Sequence, residues 1–261
     1  MKKTLIALTV AASAAVSGSA MAWEVNGTGG SVNIGGSLTP AENITPWEVK
    51  TGAAVTGLDA NITKGQSVIN IAVDQVIPVL GIRTQTNQPF QGTEGISPQV
   101  NFNGAIDPSK FKEGNTTLTL DVKDNGSNKI GSLTTTVTAG ALLSWTNDAG
   151  KGNYFSLASI NKAGEVFNGG LSTDYDGALD VDQVKSIAPV IFPGSMDNFT
   201  DQGTESLGKY FSGIDSVAKY SAFYASGIKQ GKTIKITLDQ AVSGDAPIQW
   251  KASLPVTVSY Q

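Results

Sequence analysis

The sequence of 261 residues contains neither cysteine nor histidine. Without these residue types the chain can form no disulfide, no serine–histidine or cysteine–histidine nucleophile and no zinc site built on thiolate or imidazole. A carboxylate pair, as in glycosidases, is the remaining route to catalysis. Because any two of the 22 acidic residues could be chosen, that signal has almost no specificity. We therefore predict a protein that is not an enzyme and that holds no metal or cofactor.

Long apolar runs are also missing. The most apolar stretch, Leu5–Val16, is shorter than the roughly 20 residues that a membrane-spanning helix needs. Two lysines precede it, and Ala20-Met21-Ala22 follows it as a small-x-small cleavage site. These features predict that residues 1–22 are a secretory signal peptide and that the mature chain begins at Trp23. A membrane anchor is the alternative.

Positive charge is scarce once that leader is removed. Loss of its two lysines takes the formal net charge from −4 to −6. Nucleic acids and anionic membranes are bound by clusters of lysine and arginine. The composition therefore predicts that nucleic acid is not a partner.

Glycine is abundant, with 30 residues, and many short segments are apolar at every second position. This period of two is typical of half-buried strands, and it occurs at 118–122 and 234–238. A β-branched run at 68–73 and a further segment at 130–137 are also predicted to be strands. Between two of these segments, Asp124-Asn125-Gly126-Ser127 predicts a hairpin in which Asn-Gly adopts the positive φ of a tight turn. The pattern as a whole predicts an all-β sandwich or barrel.

The region from about 144 to 221 breaks this pattern, and we interpret it as an insertion on the sandwich. Asp180 or Asp182 could cap a short helix that runs through Ile187 and is ended by Pro189. A second, amphipathic helix is predicted from apolar residues at i, i+3, i+4 and i+7 spacing. Those residues are Leu207, Tyr210, Phe211, Ile214 and Val217.

Both ends of the mature chain carry an alternating segment. Termini are usually frayed and polar, so apolar-faced strands at both ends predict a chain that is completed by another chain. The N-terminal set is Gly30, Val32, Ile34, Gly36 and Leu38, and the C-terminal set is Leu254, Val256, Val258 and Tyr260.

Several of these segments together resemble the chaperone–usher fimbrial subunits of enteric bacteria, and within them the FaeG/ClpG-type group. The resemblance covers both ends and is weaker in the middle. It rests on the leader Met1–Leu8, on Gly30–Thr39, on Trp47–Gly52, on Tyr224–Ile228 with Gly231–Ile234, and on Gln249-Trp250 followed by Leu254–Tyr260. Fimbrial subunits in general carry a disulfide that this chain lacks, and the narrower group is expected to lack it too.

The resemblance implies an incomplete immunoglobulin-like sandwich that lacks its final strand and is completed by a donor strand. It implies a signal peptide at 1–22, a donor-strand extension at 23–39 and a sandwich domain at 40–261 with the insertion at about 144–221. The N-terminal set would be the donor face inserted into a neighbouring subunit. The C-terminal set would bind a periplasmic chaperone before an outer-membrane usher exchanges the strands. The mature protein would then lie in a fimbrium on the bacterial cell surface, having passed through the periplasm. An ordinary edge strand that folds back on its own chain is the alternative for the N-terminal segment.

In this family the insertion can bind host glycans. Aromatic rings and amide or carboxylate groups are the side chains that would face a sugar, and the candidates here are Trp145, Asn147, Asp148, Asn153 and Tyr154. Core aromatics beside a solvated turn are the alternative. Asp174, Asp176, Asp180 and Asp182 suggest calcium, but the spacing lacks the distant glutamate of an EF-hand, so we favour a solvated acidic loop.

Three functions are consistent with these observations. The first is a structural fimbrial subunit that also contributes to adhesion. The second is a minor, non-adhesive subunit that serves fimbrial assembly. The third is an unrelated secreted carbohydrate-binding sandwich.

Overall fold

The computed structural model describes residues 25, 26, 28, 32, 34–37 and 44–261. The chain divides into two compact units, Met1–Glu42 and Asn43–Gln261, and the regular structure described belongs to the second. The leader predicted at 1–22 lies outside the described residues. Within the part described, no helix is both long and apolar enough to cross a membrane. Among the described residues, the strands are β1 (Trp47–Thr51), β2 (Val68–Ala72), β3 (Ile77–Thr84), β4 (Phe90–Gln91), β5 (Pro98–Asn101), β6 (Asn115–Lys123), β7 (Lys129–Asn147), β8 (Gly152–Leu157), β9 (Thr204–Tyr210), β10 (Ala218–Ile228), β11 (Thr233–Leu238), β12 (Lys251–Ala252) and β13 (Thr257–Tyr260). The same residues form one α-helix, α1 (Val181–Ile191), and a 3-10 helix, Pro108–Lys110.

Strand β7 organises the large sheet. Its first half pairs with β6 on one edge and with β11 on the other, and its second half pairs with β8 and β10. The sheet continues from β10 to β3 and then β1, while β2 pairs with β11. A separate two-stranded ladder joins β13 to β5. Val100 of β5 and Val258 of β13 pack against the same apolar core as the large sheet. The predicted all-β sandwich is therefore confirmed.

The burial of β7 changes along its length. Gly131, Leu133, Thr135 and Val137 are buried while the residues between them are less so, and from Val137 to Ser144 every residue is buried. Helix α1 explains the change because its apolar face covers the outer face of the second half of β7. Alternation therefore identifies the half of the strand with one wet face, whereas a continuous buried run is typical of a strand covered on both sides.

Helix α1 begins where the sequence predicted but ends later. The Asp180 N–H donates to Gln183 Oε1 at 2.8 Å, which satisfies one of the free donors of the first turn. The prediction that Pro189 ends the helix is wrong, because the helix runs on to Ile191. Pro189 lies on the exposed side, and the buried Ile191 together with the bond from Phe192 N to Ala188 O holds the last turn.

The second predicted helix is wrong. The segment from Thr204 to Tyr210 is strand β9, which pairs in parallel with β8. Between the Tyr154–Glu205 and Ser156–Lys209 pairs β9 has two more residues than β8, and Leu207 at this bulge is 91% exposed. The open edge of β8 supplies backbone partners that a helix would forgo, and such tertiary pairing overrides a weak helical pattern that contains glycine.

The predicted hairpin between β6 and β7 is present, but its turn differs. The Ser127 N–H donates to Asp124 O, and Asp124 N–H donates to Asn128 O, each at 3.0 Å. The positive φ belongs to Ser127, at 67°, rather than to the Asn-Gly pair. A type I turn followed by one left-handed residue is the common geometry for the longer hairpin loop, and the register shift at the end of β6 accommodates it.

A buried tyrosine in the core is expected to make the free energy of unfolding fall at alkaline pH. Tyr220 is 5% exposed, and burial together with the hydrogen bond from its hydroxyl to Asp215 raises its pKa from 10.0 to about 12. The folded state therefore holds this proton more tightly than the unfolded state, so its contribution is complete below pH 10 and is lost as the pH rises through 12. We expect the urea midpoint of the wild type to fall more steeply over this window than that of Tyr220→Phe. Equal slopes would contradict the prediction.

Candidate functional site at the C-terminal strand and the insertion

The C-terminal strand has one apolar and one polar face, as its sequence predicted. Its apolar residues are partly buried and pack against the core, and the residues between them are exposed. The partly buried set is Leu254, Val256, Val258 and Tyr260, and the exposed set is Ser253, Pro255, Thr257 and Ser259. None of the apolar residues reaches the full burial of the core, so this face is incompletely covered.

Within the described part of the chain, the backbone of β13 is paired on one edge only. Ser97 and Gln261 exchange both backbone hydrogen bonds, at 3.0 and 3.1 Å, which fixes the phase of the ladder with β5. Alternate residues of an antiparallel strand direct their N–H and C=O groups to opposite edges. The backbone N–H and C=O groups of Thr257 and Ser259 therefore point towards β5, and those of Val258 and Tyr260 point away from it. Among the described residues, no backbone partner meets the N–H or C=O groups of these two.

The two observations define one site, the open edge of β13. The residues that present unpaired backbone groups are the same ones whose side chains form the partly covered apolar face. An additional strand laid along this edge would pair its backbone and cover the apolar face at once. Open edges of this kind are sites of strand addition between chains and an aggregation hazard when left open.

The N-terminal set is only partly within the described residues. Val32 and Ile34 are 86% and 94% exposed, Gly36 is exposed, and none of the three lies in a strand. Gly30 and Leu38 lie outside the described residues. The described apolar side chains of the set thus have their surface available for burial elsewhere.

The candidate glycan residues of the insertion do not share one surface. Trp145 and Asn153 lie directly opposite each other on β7 and β8, and Trp145 packs against the main core. Tyr154 faces the other side of the sheet, where it is 8% exposed and packs against the cluster around α1. The strand periodicity thus separates the two aromatic rings.

The two polar candidates lie in the turn between β7 and β8. Asn147 Oδ1 accepts the backbone N–H groups of Ala149 and Lys151 at 3.1 and 3.0 Å, so it is engaged in holding the turn. Asp148 is exposed at the tip. Asn153 Oδ1 is buried with no hydrogen-bond partner among the described groups. The loop therefore offers one free carboxylate and a partly exposed indole, rather than five convergent groups.

A polar cluster that the sequence did not reveal lies on the other side of the sheet. The Tyr154 hydroxyl donates to Glu205 Oε2 at 2.8 Å and accepts from Lys185 Nζ at 3.0 Å. These contacts, the one with Tyr154 first, raise the pKa of Lys185. The three residues come from α1, β8 and β9, and no spacing in the sequence connects them.

The acidic loop has a structural use for at least one of its carboxylates. Asp174 Oδ1 accepts the Gly177 N–H at 2.7 Å and so closes a turn. Within the described part of the chain, no group of three or more acidic residues is arranged to hold a metal ion.

Comparison with known proteins agrees with these features. The sequence model of the family described as "Fimbrial, major and minor subunit" matches residues 1–261. K88 fimbrial protein AB of Escherichia coli is 32% identical, and the F41 fimbrial protein of the same organism is 30% identical. Both alignments cover the whole of this chain and of the relative. None of these names describes an enzyme.

A more distant relative is the K88 minor fimbrial subunit FaeI of Escherichia coli. It is 23% identical, and the alignment covers 92% of this chain and 93% of that protein. A family match over the full length together with relatives of 30% identity or more settles membership. The chain belongs to the family of K88-type fimbrial major and minor subunits.

Proposed function

We propose that this chain is a subunit of a cell-surface fimbrium and that it polymerises by donor-strand exchange through the chaperone–usher pathway. The observation that carries the proposal is the open edge of β13, where unpaired backbone and a partly covered apolar face coincide. The similar proteins are named as fimbrial proteins, and one of them as a minor fimbrial subunit, which supports neighbouring copies as partners and the fimbrium as the location.

In this proposal two strands from other chains pair with the open edge of β13, one after the other. After export and removal of residues 1–22, a periplasmic chaperone lends a strand to the edge, with Tyr260 as a recognition point. At the outer-membrane usher, the extension 23–39 of the next subunit replaces that strand. The sandwich domain is then 40–261.

Binding of the donor strand to the open edge has a clear source of free energy. Val32 and Ile34 are almost fully exposed, and full burial of one such side chain contributes about 1.5–3 kcal/mol. A donor strand also adds a ladder of backbone hydrogen bonds at the edge of β13. Glycines within the donor face, such as Gly36, would let the two backbones approach closely.

Adhesion to host glycans is the second role that we propose, through the insertion at about 144–221. The observation that favours it is the partly exposed ring of Trp145 beside a turn whose tip carries the free Asp148 carboxylate. An aromatic face with a nearby polar group is a common arrangement for orienting a sugar.

Deletion of 23–39 tests the assembly proposal. The full chain and the deletion variant are each co-expressed with a cognate periplasmic chaperone and usher. We expect both to form a soluble one-to-one complex with the chaperone, and only the full chain to form fibres. Fibres of normal yield from the deletion variant would refute donor-strand exchange through this segment. Undiminished accumulation of soluble subunit in cells that lack the chaperone would contradict the need to cover β13 during assembly.

A glycan array separates an adhesive from a non-adhesive subunit. Purified wild-type fibres are compared with fibres of Trp145→Ala and of Trp250→Ala, an aromatic control outside the insertion. The adhesive role predicts that only Trp145→Ala loses binding. An absence of binding by wild-type fibres would favour the minor, assembly-only subunit.

A further inference from the structure

We propose that the segment Glu165–Gly170, here called the connector, couples two events. The first is the pairing of a donor strand with the open edge of β13, and the second is the ordering of the insertion surface, the exposed region around Ile160 and Gly213. Assembly would then set the state of the region that a fimbrium displays. The inference rests on the proposed donor-strand function, and the experiments below separate the failure of one from the failure of the other.

The connector occupies the edge of β5 that β13 leaves free. The Phe167 N–H donates to Pro98 O, and the Val100 N–H donates to Asn168 O, each at 2.7 Å. On the opposite edge of β5, Gln99 and Asn101 pair with Ser259 and Thr257 of β13. A single strand of four residues, β5, therefore separates the acceptor strand β13 from the connector.

Side chains reinforce this junction. Gln99 is buried, and its Nε2 donates to Glu165 O at 2.8 Å while its Oε1 accepts from Asn168 Nδ2 at 3.0 Å. The buried Glu165 carboxylate in turn accepts the Ser159 hydroxyl and the Ile160 N–H, each at 2.9 Å. Buried polar networks fix one arrangement only when all members are satisfied. A shift of β5 that breaks the contacts of Gln99 would therefore also disturb the hydrogen bond between Glu165 and Ile160.

Phe167 places the connector against the start of the sandwich as well. Its ring is fully buried and lies 5.7 Å from Trp47 and 5.6 Å from Tyr224, centroid to centroid. Trp47 opens β1, and its indole N–H donates to Ile96 O at 2.7 Å, next to the start of β5. The connector thus contacts both the first strand after the proposed donor extension and the partner of the acceptor strand.

The backbone of the connector is strained. Phe167 has a φ of 59°, in the left-handed region that a bulky aromatic residue rarely adopts. Such a conformation persists only where the surroundings over-determine it, and it is found at switch regions. Loss of pairing on β5 would remove one of the restraints that hold it.

The far side of the connector leads to the exposed part of the insertion. The Val166 N–H donates to Ser212 O at 2.8 Å, and Glu165 forms a bridge with Gly213, just beyond β9. Ile160, whose N–H is held by Glu165, is 49% exposed. The connector therefore contacts β5 on one side and the exposed region around Ile160 and Gly213 on the other.

Coupling between two sites is reciprocal, so it can be tested from either end. In the first experiment, amide hydrogen exchange of the full chain is measured by mass spectrometry for wild type, Asn168→Ala and Asn168→Asp. Asn168→Asp keeps the shape, but it replaces the donor to Gln99 with an acceptor oxygen and adds a negative charge. We expect exchange at 254–261 to accelerate about tenfold in both variants. Asn128→Ala, at the hairpin tip, is the control and should leave 254–261 unchanged.

One outcome in this arm would overturn the coupling, and it counts only for a folded variant. The amides of 233–238, in β11, report whether each variant is folded. Acceleration at 158–172 without any change at 254–261, in a variant with normal β11 exchange, would overturn the coupling. This arm needs no donor strand, so it tests the inference whether or not donor-strand exchange occurs.

The second experiment approaches from the β13 edge. A synthetic peptide of residues 23–39 is added in excess to the full chain, and exchange is compared at 254–261, 158–172 and 123–129. Protection at the first two segments and not at the third supports the coupling. Protection at 254–261 alone would overturn the coupling and leave the proposed function standing. An absence of protection at 254–261 would count against the proposed function itself.

Discussion

Replacing Gly169 with alanine is expected to lower the free energy of unfolding by about 4 kcal/mol, which is a large fraction of the stability of a typical domain. Gly169 has a φ of 81°, and a Cβ at this position would collide with the carbonyl oxygen of Val100. That oxygen belongs to β5, which is held by β13 on one edge and by the connector on the other. Neither backbone can withdraw without breaking a ladder.

Gly164→Ala is the matched control. Gly164 also has a positive φ, 86°, but a Cβ there meets no atom within 4 Å. We expect it to cost only the left-handed penalty of about 1–2 kcal/mol. Urea unfolding followed by tryptophan fluorescence measures both variants. Equal losses for the two would mean that the close approach of the connector to β5 contributes nothing.

Replacing Val258 with aspartate is expected to reduce fibre yield by at least about 100-fold, which corresponds to about 3 kcal/mol of lost association free energy. Val258 presents its side chain to the core and its backbone to the open edge of β13. A carboxylate at this position would be buried by any donor strand, and burial of an unpaired charge is strongly unfavourable. Fibre mass recovered from the cell surface is the measurement.

Ser259→Asp separates this effect from a general effect of charge on the strand. Ser259 is the next residue of β13, but its side chain is exposed on the opposite face and its backbone is paired with β5. We expect fibre yield close to that of the wild type. A normal yield from Val258→Asp, or an equal loss from both variants, would rule out the partly covered face as the acceptor surface.

The strands that could be predicted from the sequence are those with one face buried and the other exposed to solvent. The alternation at 118–122 and 234–238 corresponds to β6 and β11 because one side of each strand meets solvent. The same reasoning identified the two faces of the C-terminal strand. It could not extend β7 to Asn147, because helix α1 buries the second face and removes the alternation.

The errors arose where tertiary pairing decides between weak local signals. The spacing from Leu207 to Val217 fits a helix, but the free edge of β8 makes β9 a strand. The register of β7 with β8 places Trp145 opposite Asn153, so Tyr154 lies on the opposite face although it is close to Trp145 in sequence. The Lys185–Tyr154–Glu205 cluster and the contacts of Gln99 with the connector join residues from distant segments, so no local pattern could have indicated them.

The long strand β7 also sets the order in which the chain can fold. Its hairpin with β6 needs only adjacent residues, whereas its other edge pairs Thr138 with Gly227 and Asn147 with Ala218, across the whole segment 148–217. Contacts between residues so far apart in sequence form slowly because a long loop must close first. The β6–β7 hairpin can therefore form early. The edge of β7 that later pairs with β10 stays exposed until the chain as far as β10 has folded against it. Aggregation during that interval competes with folding, so mutations that speed closure of the insertion loop should raise the yield of folded protein without changing any contact of the finished molecule.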